Sequence, residues 1–368
     1  MPEVKQTVLE IDLAALADNY NFLKSRIPSN TLFLAVVKAF AYGNDAKNIA
    51  LFLEKCGVDY FAVAYASEGE ALRDCGITKP ILVLHPQAAN LDTLIDRCLE
   101  PSLYNKYIFE AFVETACRKK QKNYPVHLKF NTGLNRLGFN ETDIAYLAKR
   151  LEQQPEILPK SLFSHLAASE DKNEEAFTLN QISAFTSISN SFHELTGHSP
   201  ILHLANTSGI LNYPQAHLNM VRSGIGLYGF GNDPQFDKFL KPIGSLKTNI
   251  SQVHFIKKGE SVGYNRGFIA EKDTKTATLP LGHADGIGRH YGNKKGFVTI
   301  NNQKAFIVGN VCMDMLMVDV TDIDCKEGDE VIVFDALHTA DDLAKKANTI
   351  SYEIITGISP RIKRVFKQ

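Results

Sequence analysis

The 368-residue sequence predicts an α/β chain in which an N-terminal (β/α)8 TIM-like barrel is followed by a C-terminal mainly-β domain. Three observations carry that expectation. Short apolar runs alternate with amphipathic helical stretches from residue 13 to residue 230. The alternation repeats eight times, the number that closes such a barrel. After Pro242 the texture changes to short strands punctuated by Gly, Asn and Asp.

The elements follow in order. Asp12 precedes DLAALADNYNFLKSRI as a candidate helix N-cap. The predicted strands are 32–37, 60–64, 80–84, 101–104, 126–130, 161–165, 201–205 and 219–222. Several are apolar throughout, as strands covered on both faces are. The long helical pattern EEAFTLNQISAFTSISNSFHELTG closes on Gly197, a C-cap signal. Beyond the barrel, LKTNISQVHFI, TATLPLG, GFVTI, KAFIVGN, MLMVDV and DEVIVFD read as strands, with one helix near ADDLAKKA. The predicted domains are therefore 11–240 and 241–368, with residues 1–10 a candidate extra strand of the second.

Composition narrows the function. Hydrophobic residues at 44% and charged residues at 22% describe an ordinary globular protein and exclude a disordered chain. A net charge of -1 leaves no electrostatic footprint for nucleic acid or an anionic membrane, so a small-molecule partner is expected. The six cysteines are scattered without CxxC or zinc-finger spacing, which predicts reduced thiols and no metal. Glu10 and Asp12 interrupt the start, and LFLAVV is too short to span a bilayer. A soluble, cytoplasmic protein is the expectation.

Chemistry concentrates at the predicted strand ends. Lys38, His85, Lys129, His165, Asn206 and Arg222 all fall at or just after the C-terminal end of a strand, the rim on which barrels of this type build their sites. A lysine after a buried strand snorkels to water, pairs with an opposite charge or is consumed in a covalent bond; Lys38 reads as a Schiff-base residue against the plainer reading of a snorkelling strand-end lysine. VRSGIGLYGFG contains Gly224, Gly226 and Gly229 in a literal GxGxxG, but no helix opens after it. The dinucleotide reading fails, and a phosphate cradle after the eighth strand remains.

A strand-one lysine facing a strand-eight phosphate cradle suits pyridoxal 5'-phosphate. At these residues the chain resembles the alanine racemases, the fold-type III pyridoxal-phosphate enzymes, over nearly its whole length. VVKAFAYG matches the segment of the cofactor lysine, which implies Lys38 and Tyr42. VRSGIGLYG matches the segment whose arginine contacts the pyridine nitrogen, implying Arg222, with Gly224 and Ile225 against the phosphate. HLANTSG implies Asn206 and Thr207 on the cofactor side, SYEIITGISPRIKR implies Tyr352 at the phosphate, and His165 joins the cofactor set. GESVGYNRGF implies Tyr264 as the second catalytic base, beside Lys38. GNVCMDMLMVDV implies Met313 and Asp314 in the substrate pocket, and VHLKFNTGLNRLGF implies Arg136 near the substrate carboxylate and cofactor phenolate. In some members the lysine corresponding to Lys129 is carbamylated and orients that arginine.

The resemblance implies two-base interconversion of L- and D-alanine in a head-to-tail homodimer with shared sites, supplying D-alanine for peptidoglycan. Arg289 and His165 are expected to form a hydrogen-bonded chain to Tyr264 that favours its phenolate, because an ordinary tyrosine is a poor base at neutral pH. Departures from the family pattern are Phe40, Asn44, Asp45, Asn131, Leu134, His283 and Asn310. They bear on substrate breadth and leave room for a broad-specificity or serine racemase. A fold-type III decarboxylase fits less well, because the GESVGY segment matches racemases. A non-catalytic cofactor carrier would lack the β-domain.

Overall fold

The structure is a computed structural model that describes residues 6–367. It divides into two compact units. The first holds residues 17–41 and 46–240; the second holds the N-terminal residues through Leu16, Tyr42–Asp45, and the chain from Lys241 onward. Strand β1 (Val8–Asp12) belongs to the second unit.

The first unit is a closed parallel barrel of eight strands: β2 (Leu32–Val36), β3 (Tyr60–Val63), β4 (Ile81–Val83), β5 (Glu100–Leu103), β6 (Tyr124–Lys129), β7 (Ile157–Phe163), β8 (Ile201–His203) and β9 (Met220–Ser223). Closure is made by β9 against β2, with Leu34 opposite Arg222. All eight predicted strands occur, at nearly the predicted places. β6 and β7 begin earlier than expected, and the added residues include Pro125 and Pro159. Both prolines lie just before a register shift at Val126/His127, the bulged setting in which a strand tolerates proline. The caps also fall as predicted. Asp12 Oδ1 accepts the Ala15 N–H at 2.8 Å, and Gly197 ends the helix Glu175–Thr196 with φ 69°.

The second unit is a nine-stranded sheet in the order Gln252–Ile256, Thr274–Leu279, Leu316–Asp319, Gln303–Val308, Phe297–Ile300, Glu330–Phe334, Gly244–Asn249, β1 and Lys363–Lys367. The N-terminal strand is thus sandwiched between two segments of the C-terminal half, antiparallel to one and parallel to the other. A separate two-stranded hairpin, Ser261–Val262 with Phe268–Ile269, carries Tyr264 at its tip. Among the described residues no helix is long and apolar enough to cross a membrane, and no cluster of three His, Cys, Asp or Glu side chains suits a metal.

Candidate active site

Lys38 follows β2 immediately, and the chain after it takes an unusual course. Ala39, Phe40, Ala41 and Tyr42 all adopt left-handed backbone, with φ between 52° and 57°. None is glycine, and each such residue costs roughly 1–2 kcal/mol. The turn is held from outside: Glu68 Oε1 accepts the Ala39 N–H at 2.6 Å, and Oε2 accepts Ala64 N–H at 2.6 Å and Tyr65 N–H at 3.1 Å. One carboxylate therefore caps the helix Ala66–Asp74 and fixes the residue next to Lys38. Burial and the Arg136 charge lower the pKa of Lys38, while Glu68 opposes them.

Arg222, on the neighbouring strand β9, is buried at 5% exposure. Its Nη1 donates to His203 Nδ1 at 2.8 Å. Its Nη2 donates to the carbonyls of Ser164 at 2.7 Å and Leu204 at 3.1 Å, and lies 3.2 Å from His165 Nδ1. Burial pulls the guanidinium down to about 9, which still leaves it a cation at neutral pH. Burial and the Arg222 charge hold both His165 and His203 well below the ordinary imidazole range, so both are neutral there.

Lys129 ends β6, is 8% exposed, and stands over the Phe163 ring at 5.8 Å. Burial, Arg136, Arg222 and Lys38 together lower it to about 8. Arg136 lies in the exposed loop after β6, close enough to be felt by Lys38, Lys129 and His165. Four cations thus gather at one end of the barrel, and Glu68 is the carboxylate that Lys38 feels.

The glycine-rich turn completes this end. Gly226 packs so closely on Thr207 that an added Cβ would meet Thr207 Cγ2 at 2.6 Å. Its N–H donates to Thr207 Oγ1 at 3.3 Å, and that hydroxyl lies 3.0 Å from the buried Ser223 Oγ. Asn206 caps the helix Thr207–Asn212 through Gly209 N–H. The Tyr228 hydroxyl donates to the Val36 carbonyl at 3.1 Å, tying the turn to the strand of Lys38. Gly224 opens the short turn Ile225–Tyr228, directly after β9. Lys38, Lys129, Arg136, His165, Asn206, Thr207, Arg222, Gly224 and Ile225 therefore all belong to the barrel unit, on the C-terminal side of their strands.

The other predicted residues belong to the second unit. Tyr42 and Tyr352 meet there with ring centroids 5.9 Å apart, and burial followed by the Tyr352 charge raises the Tyr42 pKa. Gly43, at φ +85°, lies so close to the Ile355 carbonyl that a Cβ would stand 2.1 Å from it. Arg364 clamps the Gly43 carbonyl with Nε at 3.0 Å and Nη2 at 2.9 Å.

Tyr264 and Met313 are 71% and 60% exposed and line one cavity of about 490 Å³ with Asp314, Cys312, Met315 and Met317. The Asp314 carboxylate is engaged by Arg361 at 2.7 Å, which also forks onto Asp285. The expected Arg289–Tyr264 bond is not formed within this unit. Arg289 starts the separate turn Arg289–Tyr291, and Tyr264 stands at the tip of its hairpin. What holds Tyr264 is Asn310, whose Nδ2 donates to the Tyr264 carbonyl at 3.0 Å. The sequence reading noted Asn310 only as a departure from the family pattern, and it missed Glu68, Ser223 and His203. Glu68 carried a signal, an acid at the third position of a helix.

A set of four cations, Lys129 and Arg222 buried among them, beside small hydroxyls suits a phosphorylated, carboxylate-bearing ligand, and comparison with known proteins agrees. The alanine racemase N-terminal domain family matches residues 11–232, and its C-terminal domain family matches residues 243–366. The chain belongs to the alanine racemase family. Alanine racemase 2 of Caldanaerobacter subterraneus is 33% identical, over 99% of this chain and 95% of its own length. The alanine racemase of Clostridium perfringens is 36% identical, over 99% and 96%. Among solved structures, alanine racemase of Clostridium difficile superposes with a TM-score of 0.93 at 32% identity, covering 99% of this chain and 96% of that one. The Bartonella henselae alanine racemase, with covalently bound pyridoxal phosphate, gives 0.90 at 29% identity, covering 99% and 100%. The family's enzymes are pyridoxal-phosphate-dependent isomerases. The residues present fit that cofactor: a lysine of lowered pKa at a strand end, a buried arginine on the adjacent strand, and directly after that strand a glycine-bearing turn packed on the hydroxyls of Thr207 and Ser223.

Two outcomes follow. Glu68→Ala leaves three backbone N–H groups without their acceptor and should cost about 1–3 kcal/mol in urea denaturation, with faster amide exchange at Ala39. Lys129 has a lowered folded pKa, so the folded state sheds its proton first as pH rises. The stability of the cofactor-free protein should therefore climb between pH about 8 and about 10.4, the unfolded value, and Lys129→Met should flatten that climb.

Proposed function

We propose that this racemase interconverts L- and D-alanine on pyridoxal phosphate held at Lys38, with Lys38 and Tyr264 as bases on opposite faces of the substrate. The observation that carries the proposal is the convergence of Lys38, Lys129, Arg136 and Arg222 at one barrel end, a site built for an anionic cofactor and a carboxylate substrate. When bound, pyridoxal phosphate withdraws electrons from the substrate's Cα and so acidifies its Cα–H.

The residues divide the remaining work. Lys38, its pKa lowered by burial and by Arg136, has a larger share of neutral amine available to take or return a proton at Cα. Tyr264 Oη does the same on the other face. Arg136 would bind the substrate carboxylate, and Lys129, if carbamylated, would orient it. Gly224, Ile225 and Tyr352 would hold the phosphate, and Tyr42, Asn206 and Thr207 would lie on the cofactor side. Arg222, with His165 beside it, would give the ring nitrogen a hydrogen bond without surrendering its proton, which would restrain the ring as an electron sink and suppress side reactions. Met313 and Asp314 border the substrate.

Exposure of Tyr264 and Met313 around an open cavity supports a shared site in a head-to-tail homodimer. The proposed role is supply of D-alanine for peptidoglycan in the cytoplasm.

Complementation tests the two-base, shared-site reading. Lys38→Ala and Tyr264→Phe chains should each be inactive alone. Mixed and reassociated in equal amounts, they should recover about a quarter of wild-type activity, since roughly half the dimers pair unlike chains and each of these has one intact site. No recovery in a verified heterodimer places both bases in one chain. Full activity of either variant alone removes that residue as a base.

A further inference from the structure

Arg222 carries a positive charge into the barrel interior, and none of its hydrogen-bond partners is a carboxylate. A continuous row of side chains leads away from it across four strands. Arg222 Nη1 meets His203 Nδ1 at 2.8 Å. His203 Nε2 meets Ser161 Oγ at 2.9 Å, Ser161 Oγ meets His127 Nδ1 at 2.5 Å, and His127 Nε2 meets Glu100 Oε2 at 2.7 Å. His127, Ser161 and His203 are fully buried, and Glu100 is 9% exposed. Strand register builds the row: His127 pairs with Ser161, and Phe163, two residues on, pairs with His203. Phe163 stacks on the His203 ring at 4.8 Å and 5°, which fixes its plane.

With His127 neutral, the direction of every bond in this row follows from the chemistry of its two ends. A guanidinium only donates, so His203 Nδ1 must present a lone pair and His203 carries its proton on Nε2. That proton goes to Ser161 Oγ, whose own hydrogen is left for His127 Nδ1. His127 then carries its proton on Nε2 and gives it to the Glu100 carboxylate oxygen, which accepts it. Tyr60 also hydrogen-bonds Glu100, and burial together with that charge raises the Tyr60 pKa. Reversing the row would set a His203 N–H against the Arg222 N–H.

We propose that Glu100, His127, Ser161 and His203 form a one-way hydrogen-bond relay in which Glu100, at the start of β5, is a remote positioning residue for Arg222. The relay fixes His203 in the tautomer that takes Nη1. Nη2 is consumed by the Ser164 and Leu204 carbonyls, so among the described residues Nε–H is the guanidinium nitrogen with no acceptor. The inference rests on the reading of Arg222 as the cofactor-side arginine for its consequence, but not for its test.

The test is ¹⁵N NMR of histidine-labelled protein, with and without pyridoxal phosphate, assigned through His127→Gln and His203→Gln. In the wild type both rings should show a protonated Nε2 and an unprotonated Nδ1 in either form. A protonated Nδ1 at His203 overturns the relay, whatever the protein does to alanine. Glu100→Gln replaces an acceptor-only group by one that also donates. It should bring in a second, Nδ1-protonated population at both rings, and Ser161→Ala should abolish that response at His203 while leaving it at His127. An unchanged His203 spectrum in a folded Glu100→Gln protein overturns the assignment of Glu100. If that variant does not fold, the wild-type tautomers alone decide the direction of the row. In the loaded enzyme, loss of Arg222 alignment should lower kcat by up to about 10²-fold with KM little changed.

Discussion

Burial of the Arg222 guanidinium is the constraint around which the barrel end is organised. A cation removed from water needs acceptors, and this one finds two carbonyls and two imidazole lone pairs. Imidazoles can serve in this way only while neutral, and burial beside a positive charge keeps them so. With no carboxylate in contact to neutralise it, Arg222 also pushes Lys129 down. The same surplus of positive charge makes the site a receptor for anions.

Positioning falls to residues that never need to touch a ligand. Four left-handed residues after Lys38 are a strained way to leave a strand, and a single carboxylate, Glu68, holds the first of them by its N–H. In the second unit, Asn310 holds the backbone of Tyr264, and Arg361 ties Asp314 to Asp285. Preorganisation in both units therefore rests on side chain–backbone bonds and one forked arginine. The chemical groups divide between the units in the same way, with the amine and cations in one and the exposed phenol in the other.

Much of this was legible in the sequence. The barrel strands declare themselves because strands covered on both faces are nearly continuous in apolar residues, and two of them begin ahead of their predicted runs, in segments that contain Pro125 and Pro159. Lys38, Lys129 and Arg222 were visible because polar residues at the ends of such strands stand out. Ser161, His203 and Asn310 were not. Their roles are hydrogen bonds to backbone atoms or to side chains on other strands, and nothing in linear spacing fixes those. Glu68 shows its cap by its place at the third helical position, but not its bond to the Ala39 N–H. The Arg289 support for Tyr264 was an expectation of the same unreadable kind, and within the unit a different residue, Asn310, took up the backbone role.

The central claim is that this barrel end inverts alanine. It is tested most directly by loading the protein with pyridoxal phosphate, incubating it separately with L-alanine and L-serine, and separating the products by chiral chromatography. The account predicts that L-alanine proceeds to an equal mixture of enantiomers while L-serine yields little D-serine. Bound cofactor with no D-alanine formed would contradict it.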